Sequence, residues 1–566
     1  MCIRAIKTIV FVCCLTMFNA VLPVEAKDPP KRIKIMQEEL VKNFEALKKE
    51  PDPPYFMSYS IDDVRIKAVS SSFGARYTSG ETKTSFLRVE VRTGDYSLDS
   101  SHEIRGDSLS LLTRQLSGAV QAPIYDSPDA LRIILWRETD KAYKNAVKTL
   151  AKVKSQQSVM VADEDKSDDF SKIKPQVAFE DAIETSVNFD KWETRVKKYT
   201  NGFKKCYFIR KSIATFSHEI RNKYYVNSEG TSVSTSSGYM SLIIQGRSKL
   251  PDGMDPAVRL SYFGFKESDF PSEEEIMKDI QTLVNTLEKL YTAPIAEPYT
   301  GPAIFTGKAS GVFFSETLGS YLEGQRQKGA SEGQTLKKQV GKQILPEFMS
   351  VVFDPTIKEI HGLKLSGSYS YDDEGTKSEK VICIENGILK NFLMSRTPIE
   401  NFHVSNGHGR SQPGTQPVSR QSNLIVESRK MLSENELRQK LIEECKKQGK
   451  DFGLLFTEFS GGSASMGRSR PNAFNITPNV VYKVFTDGRP DELIRGVNLI
   501  GTPLTTFGKI IATGSKMEAY NMNDTGGSVP VPISAVSPSI LISEIEIQKS
   551  QKSQTKPPIL PSPALR

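Results

Sequence analysis

The spacing of apolar positions in the first third of the chain predicts helices packed on antiparallel strands. From Arg32 to Lys49, apolar residues recur every three or four positions, which is the spacing of one helical face. From Tyr55 to Thr93, apolar and polar residues roughly alternate, as in the strands of an antiparallel sheet. Helical spacing returns from Ala130 to Val153. This order of elements predicts helices that cover a sheet.

Polar and proline-rich stretches divide this region and close it. Residues 154–176 are polar with two acidic runs, which predicts an exposed linker rather than a cation site. Strands are predicted to resume over 203–216. A long helix follows, and Ser272 and Glu275 have the spacing of its capping box. Residues 293–302 carry three prolines and a glycine, and we expect a domain boundary there.

Beyond this boundary the pattern changes to glycine-rich strands and tight hairpins. Asn386-Gly387 separates two apolar runs, which is a specific signal for a two-residue hairpin turn. One helix is predicted after Ser433, where Glu436 completes a capping box. The residues after Lys549 are rich in Pro, Ser, Gln and Lys, which is typical of disorder.

The first 26 residues have the features of an export signal. Arg4 and Lys7 precede a mostly apolar run from Ile9 to Leu22, and the small residue Ala26 fits a cleavage site. No later stretch has 18 consecutive apolar residues, so we expect a periplasmic or extracellular protein without a transmembrane segment. The fold class we predict is α+β, with a signal peptide over 1–26, a region of helices on antiparallel strands over 27–299, a β-rich domain over 300–547 and a disordered tail over 548–566.

Composition narrows the classes of function. The chain is 38% apolar and 25% charged, so it can bury a sizeable core. The net charge is +8, but basic residues are scattered along the sequence, which does not favour nucleic-acid binding. Cys206, Cys383 and Cys445 lie outside the signal and lack metal-ligand spacing. Separate buried thiols are favoured. A disulfide bridge between two of them stays an alternative.

Few residue patterns carry chemistry outside one stretch. The five histidines include no His-x-x-x-His pair, which would place two imidazoles on one helical face. His403 and His408 lie in or beside a glycine-rich loop, which is either simply exposed or a contact for an anion or peptide. Residues 371–376 gather three acids, for which a solvated turn is favoured over a cation site. The candidate substrate loop is formed by Asn406, Gly407, His408, Gly409 and Arg410.

The stretch 311–324 is predicted to form an apolar helix with two serines and two acids, of which Glu323 lies at its exit. It resembles the motif helix of the TldD/PmbA family, whose active members are zinc metallopeptidases. The family's motif is His-Glu-x-x-x-His in a stretch that ends Leu-Glu-Gly. Glu316 and Leu322-Glu323-Gly324 match this motif, whereas Ser315 and Ser320 occupy the two histidine positions.

The resemblance is specific over about 300–545 and looser from Pro53 onward. The family's third zinc ligand is a cysteine, and Met522 aligns with its position. Asn521 and Asn523 flank Met522, so no cysteine is adjacent. Further segments that resemble the family are Gly329, Gly341, Asp354-Pro355-Thr356, Asp373–Thr376, Ile384–Lys390, Asn406–Arg410, Arg495-Gly496, Leu499–Gly501 and Gly527–Val531.

The resemblance implies zinc in active members, but the replacements here remove the chemistry that binds it. Catalytic zinc takes three imidazole, thiolate or carboxylate ligands and an open water position. A serine hydroxyl stays protonated, and a thioether suits soft copper better than zinc. Glu316, the family's general base, would then lack a zinc-activated water. We therefore expect no cofactor. We also expect a distorted turn at Gly319, because positions 315 and 320 are about 140° apart on an ideal helix.

Three hypotheses follow, and they leave open whether the chain is an enzyme. The first is an exported, non-catalytic family member that pairs as a homo- or heterodimer with a TldD/PmbA-type subunit, or binds unfolded peptides by strand addition. The resemblance implies it, because active members pair with a ligand-less relative around a proteolytic chamber. The second is an active metallopeptidase that uses Glu316 with other ligands, such as His403, His408 or Asp373. The third is a structural envelope protein.

Overall fold

The computed structural model describes residues 27–103, 120–124, 127–157, 165–184, 187–328, 336–465, 473–524 and 530–550, together with 560 and 563. The predicted signal peptide over 1–26 lies outside these residues, as do Gly329, residues 527–529 and most of the predicted tail. In the described part of the chain, no helix is both long and apolar enough to cross a membrane.

The N-terminal region is a sheet covered by helices, as the apolar spacing predicts. Among the described residues the sheet has seven strands, built on two long antiparallel hairpins that pair through their first strands. The strands are β1 Pro54–Ser72, β2 Ala75–Thr93, β3 Val120–Gln121, β4 Val177–Phe179, β5 Ile209–Asn227, β6 Ser232–Ser248 and β7 Ala257–Gly264. The helices are α1 Lys31–Leu47, α2 Pro128–Gln157, α3 Phe189–Asn201 and α4 Glu273–Thr292.

Two apolar clusters hold these helices on the sheet. Helices α1 and α2 cover one cluster, in which Met36 packs with Tyr59 and Leu135. Helices α3 and α4 cover the other, where Trp192 stacks on Phe216 with ring centroids 3.8 Å apart. The capping box predicted at Ser272 is confirmed, and it fixes the start of α4.

The C-terminal region is β-rich and contains a closed ring of strands. Strand β8 pairs with β18, and the chain of pairings through β19, β21 and β23 returns to β8. The longer strands are β8 Tyr299–Phe305, β9 Met349–Phe353, β12 Val381–Glu385, β16 Asn423–Ser428, β18 Phe452–Ser465, β19 Ala473–Phe485, β21 Val497–Gly501, β22 Ile510–Asp524 and β23 Val531–Lys549.

Short strands and three α-helices complete the C-terminal region where the structure describes it. The helices are α5 Gly307–Thr317, α6 Glu434–Lys447 and α7 Pro503–Phe507. The short strands are β10 Glu359–Ile360, β11 Leu363–Lys364, β13 Ile388–Leu389, β14 Gly409–Arg410, β15 Val418–Ser419, β17 Met431–Leu432 and β20 Glu492–Ile494. With both sheets in place the α+β class is confirmed, as are the Asn386-Gly387 turn and the capping box at Ser433.

Some local predictions are wrong. The segment after α2 is not an exposed linker where it is described, because Asp165, Asp169 and Phe170 are buried. Its acids are held there by ion pairs, such as Lys337 Nζ to Asp165 at 3.0 Å. The strand predicted over 203–216 begins only at Ile209, after a short 3-10 turn.

The cysteines of the described residues are unbridged. Cys383 and Cys445 are buried, as favoured from the sequence, whereas Cys206 is only half-buried. Burial raises the pKa of the Cys445 thiol to about 11.

Candidate functional site

The motif helix α5 packs against the ring of strands and then breaks. Phe313 meets Phe305 edge-on, with ring centroids 5.3 Å apart, and Gly311 lies so close to β23 that an added Cβ would be 2.9 Å from the carbonyl oxygen of Ala535. The helix ends at Thr317, and a 3-10 turn covers Gly319–Leu322. A continuous helix over 311–324 is therefore wrong, but the distorted turn expected at Gly319 is present.

The side chain of Gln421 packs against Ser315 and against the turn at Gly319. Ser315 is buried, and its hydroxyl donates to Gln421 Oε1 at 3.2 Å. Gln421 Nε2 donates in return to the carbonyl oxygen of Ser315 at 3.3 Å. A Cβ on Gly319 would lie 1.9 Å from Gln421 Oε1, so the amide rests directly on the broken turn. Ser320 is also buried in this turn. The Gln421 amide thus contacts both the end of the helix and the turn that follows it.

Glu316 is half-buried on the same helix, on the side of β22. Burial raises the pKa of Tyr520 on β22, and the carboxylates of Glu458 and Glu316 add to the effect. Burial also raises the pKa of Glu458 to about 7. Glu458 therefore has a perturbed pKa and acts on the same tyrosine as Glu316. The sequence did not predict this, because Glu458 lies in an ordinary strand pattern interrupted by register shifts.

Met522 lies on β22 opposite Ile533 and packs against the main apolar cluster of the C-terminal region. Strand β23, which pairs with β22, is linked to the serine site by a backbone hydrogen bond. The amide of Ser534 on β23 donates to the carbonyl oxygen of Ser422, the residue after Gln421, at 3.3 Å. Met522 therefore serves as a packing side chain at the edge of this arrangement.

The Leu-Glu-Gly exit of the motif has a structural role. Glu323 is fully buried and forms ion pairs with Arg326 at 2.7 Å and Arg420 at 3.3 Å. These pairs hold the segment that carries Gln421 next to the 3-10 turn. A buried carboxylate of this kind is stable only with such partners.

The loop 406–410 is buried, so the interpretation as a simple exposed loop is wrong. His408 Nε2 lies 3.0 Å from the hydroxyl of Ser422, and burial lowers the pKa of His408 to about 3. The Asn406 side chain accepts from the amide of Met394 at 2.8 Å. The guanidinium of Arg410 lies over the ring of Tyr369 at 4.6 Å. The predicted contact with a peptide stays a prediction, and this burial does not favour it.

The acidic turn over 371–376 is also buried, so the solvated turn is wrong. Asp372, Asp373 and Glu374 lie against the N-terminal sheet. Burial alone would raise the pKa of Asp373, but the charges of Arg221 and Lys223 outweigh it and hold that pKa below its usual range. Lys223 Nζ lies 2.6 Å from Asp373 Oδ1 and Arg221 Nη2 lies 3.0 Å from it. The turn therefore joins the two regions of the chain.

The segment 298–549 matches the family described as the PmbA/TldA metallopeptidase C-terminal domain. This C-terminal segment belongs to the TldD/PmbA family. Within it, Ser315, Ser320 and Met522 are the positions that the family resemblance assigns to zinc ligands.

Curated relatives carry metalloprotease names. A metalloprotease of Archaeoglobus fulgidus is 26% identical over 261 residues, which are 46% of this chain and 56% of the relative. A metalloprotease TldD homolog of Buchnera aphidicola is 29% identical over 222 residues, 39% of this chain and 41% of the relative. The chain thus spans about half the length of these relatives.

A solved structure extends the likeness to the whole fold. TldE from Thermococcus kodakarensis superposes with a TM-score of 0.58 at 15% identity, covering 91% of this chain and 100% of that chain. At this identity the likeness concerns the fold alone.

The residues at the family's ligand positions do not fit zinc. They offer two hydroxyls and a thioether, and one hydroxyl already donates to the Gln421 amide. In the described ranges, no three His, Cys, Asp or Glu side chains are grouped as a metal would need. The alternative ligands His403, His408 and Asp373 are among the side chains that form no such group. The donor chemistry differs from that of the family's active site.

Proposed function

We propose that the chain is an exported, non-catalytic TldD/PmbA-family protein that acts as a dimer-partner or peptide-binding subunit in proteolysis of unfolded peptides. The observation that carries this proposal is the reciprocal hydrogen bonding of Ser315 with Gln421. It uses the hydroxyl at a position where the family resemblance places a zinc ligand. Glu316 keeps the family's general-base position but would lack a zinc-activated water to deprotonate.

The competing hypothesis, an active peptidase, is separated by a direct assay. We expect the purified protein to release no product from unfolded casein beyond that of the Glu316→Gln variant. Glu385→Gln, which alters an exposed carboxyl on β12, is the matched control. Metal-dependent turnover that Glu316→Gln abolishes and Glu385→Gln retains would overturn the non-catalytic assignment.

Peptide binding is supported by an apolar pocket beside the helix break. Thr317, Leu318, Tyr321 and Phe507 line it, and the exposed Thr502 lies at its edge. It would accept an apolar side chain of an extended peptide. We expect Thr502→Trp to weaken binding of a labelled unfolded peptide several-fold, because the indole would block the pocket.

Thr505→Trp is the matched control for this test. Thr505 is exposed on α7, the short helix that follows Thr502, but does not line the pocket. Equal peptide affinity in both variants would remove the pocket from the proposal, and no affinity in the native protein would leave only the dimer-partner role.

The partner in this proposal is a second TldD/PmbA-type subunit. Support comes from the family resemblance and from the fold likeness to TldE. Affinity purification from the native source should recover either a TldD/PmbA-type subunit or a second copy of this chain. A monomeric protein recovered alone would argue against the dimer and favour the third hypothesis, a structural envelope protein.

Export is proposed from the charged start and the apolar run of residues 1–26. The expected mature protein begins at Lys27, directly before α1. Edman sequencing of the protein from the native source tests this. A mature chain that still begins at Met1, recovered from the cytosol, would contradict export.

A further inference from the structure

An exposed apolar patch lies on the outer surface of helix α2. Ile133 and Trp136 are each 62% exposed. Tryptophan and isoleucine normally bury most of their surface in a folded protein. Ile133 and Trp136 are three residues apart, so they project from the same side of the helix.

The contact between helices α1 and α2 lies directly beside this pair. Arg132 Nη2, on the residue before Ile133, lies 2.6 Å from Glu38 Oε2 on α1. Leu131 and Leu135 are buried on the other side of α2, in the apolar cluster that the two helices cover. Ile133 and Trp136 therefore form an apolar patch on the outer side of α2.

A basic stripe continues from the patch along α2. Its members recur every three or four residues and are all exposed: Arg137, Lys141, Lys144, Lys148 and Lys152. Two carboxylates share this side of the helix. Glu138 accepts from Arg137 at 2.9 Å and lies 3.7 Å from Lys141, and Asp140 lies 2.8 Å from Lys144. Five basic residues against two acids leave an excess of positive charge.

We propose that this face docks peripherally on an anionic lipid surface. The exposed Trp and Ile side chains can enter the headgroup region, while long basic side chains reach lipid phosphates beside them. A second copy would bring two positive faces together, so charge does not favour self-association through this patch. A nucleic acid would use the basic stripe but leave the apolar patch in water, so lipid accounts for both features.

Trp136 provides a direct readout of docking. The chain has two tryptophans, and Trp192 is fully buried against Phe216. A change in emission on adding vesicles therefore reports Trp136. With vesicles of phosphatidylcholine and phosphatidylglycerol, we expect a blue shift, protection from acrylamide quenching and co-sedimentation. Vesicles of phosphatidylcholine alone should give much weaker effects, and added salt should weaken the anionic case.

Paired variants separate the apolar and the charged contributions. Trp136→Phe should lose the emission change but keep co-sedimentation, whereas Trp136→Ser should lose both. The control Met431→Ser removes a side chain that is 56% exposed in the C-terminal region and should bind as the native protein does. Lys144→Glu with Lys148→Glu should lower the partition coefficient at least about 25-fold, from about fivefold per basic residue. Lys446→Glu with Lys447→Glu on α6 is the matched charge control.

Several results would overturn the proposal. One is no co-sedimentation with either vesicle. Another is equal loss of binding in the α2 and α6 charge variants, which would mean that only net charge matters. A third is a blue shift with polyglutamate but not with anionic vesicles, which would assign the face to an acidic polypeptide instead.

Discussion

At the scale of single residues, the amide of Gln421 bonds Ser315, a position where the family resemblance places a zinc ligand. Gln421 makes two hydrogen bonds to Ser315 and touches the turn that carries Ser320. The substituted ligand positions are visible in sequence because they fall inside a motif. The partner of Ser315 is not visible in sequence, because Gln421 lies 106 residues beyond it. Only the fold brings them together.

Substitution Gln421→Ala should lower the free energy of unfolding by about 1–3 kcal/mol, because it leaves the buried Ser315 hydroxyl without its acceptor. Urea denaturation followed by circular dichroism measures this. The control Gln281→Ala removes an exposed side chain and should change stability by less than about 0.5 kcal/mol. Equal effects of the two variants would mean that the amide contact is not stabilising.

Glu374 predicts a pH dependence of stability. Burial, and then the neighbouring Asp372 carboxylate, raises the pKa of Glu374 from 4.5 to about 8, although Arg396 opposes the shift and Glu90 adds to it. The folded state therefore holds this proton more tightly than the unfolded state, so the contribution is full below pH 4.5 and lost as pH rises through 8. The denaturation midpoint should fall over this window.

Glu374→Gln should flatten that decline, because the amide carries no titrating proton. The exposed Glu379→Gln is the matched control and should keep the native profile. A decline that persists unchanged in Glu374→Gln would assign the pH dependence to other groups, such as Asp372, whose pKa burial raises to about 6.

At the scale of elements, the motif helix owes its end to the contact it makes. The apolar pattern over 311–324 suggests one helix, because apolar residues continue through Leu322. The chain instead breaks at Leu318, where φ is −121° and ψ is −49°. Periodicity shows which residues are buried but not where a helix must bend around Gln421. Capping boxes and the Asn-Gly turn are predicted well because they depend on local hydrogen bonding alone.

Gly319→Ala should therefore destabilise the protein by about 1–3 kcal/mol, because the new methyl group would displace the Gln421 amide. In a Gln421→Ala background the same change should cost clearly less, since the clash is gone. Gly80→Ala, where a Cβ meets nothing within 4 Å, is the control. Strictly additive effects of the two substitutions would contradict the direct contact.

At the scale of the whole molecule, buried charges join the two regions. Arg396 is fully buried and lies 2.8 Å from Glu229 on the turn after β5, and it also donates to the carbonyl oxygen of Ser171 at 2.6 Å. The sequence suggests solvated acids and an exposed linker here, because charged runs are usually on the surface. Their partners lie in distant segments, so composition could not predict their burial.

Removal of this link in Arg396→Ala should cost about 3–5 kcal/mol, because the Glu229 carboxylate would lose its cationic partner and keep only the hydroxyl of Tyr96. The measurement is the urea midpoint of the whole chain. Arg429→Ala, which truncates a side chain that is 62% exposed, should leave it nearly unchanged. A midpoint for Arg396→Ala that equals the control would show that the junction does not depend on this ion pair.

The most direct measurement of the central claim is the zinc bound per chain after dialysis against a slight excess of zinc. The native protein should retain well below one equivalent, because its ligand positions offer hydroxyls and a thioether. A combined Ser315→His, Ser320→His, Met522→Cys and Gln421→Ala variant should retain close to one. One tightly held equivalent in the native protein, with peptidase activity that Glu316→Gln abolishes, would contradict the account.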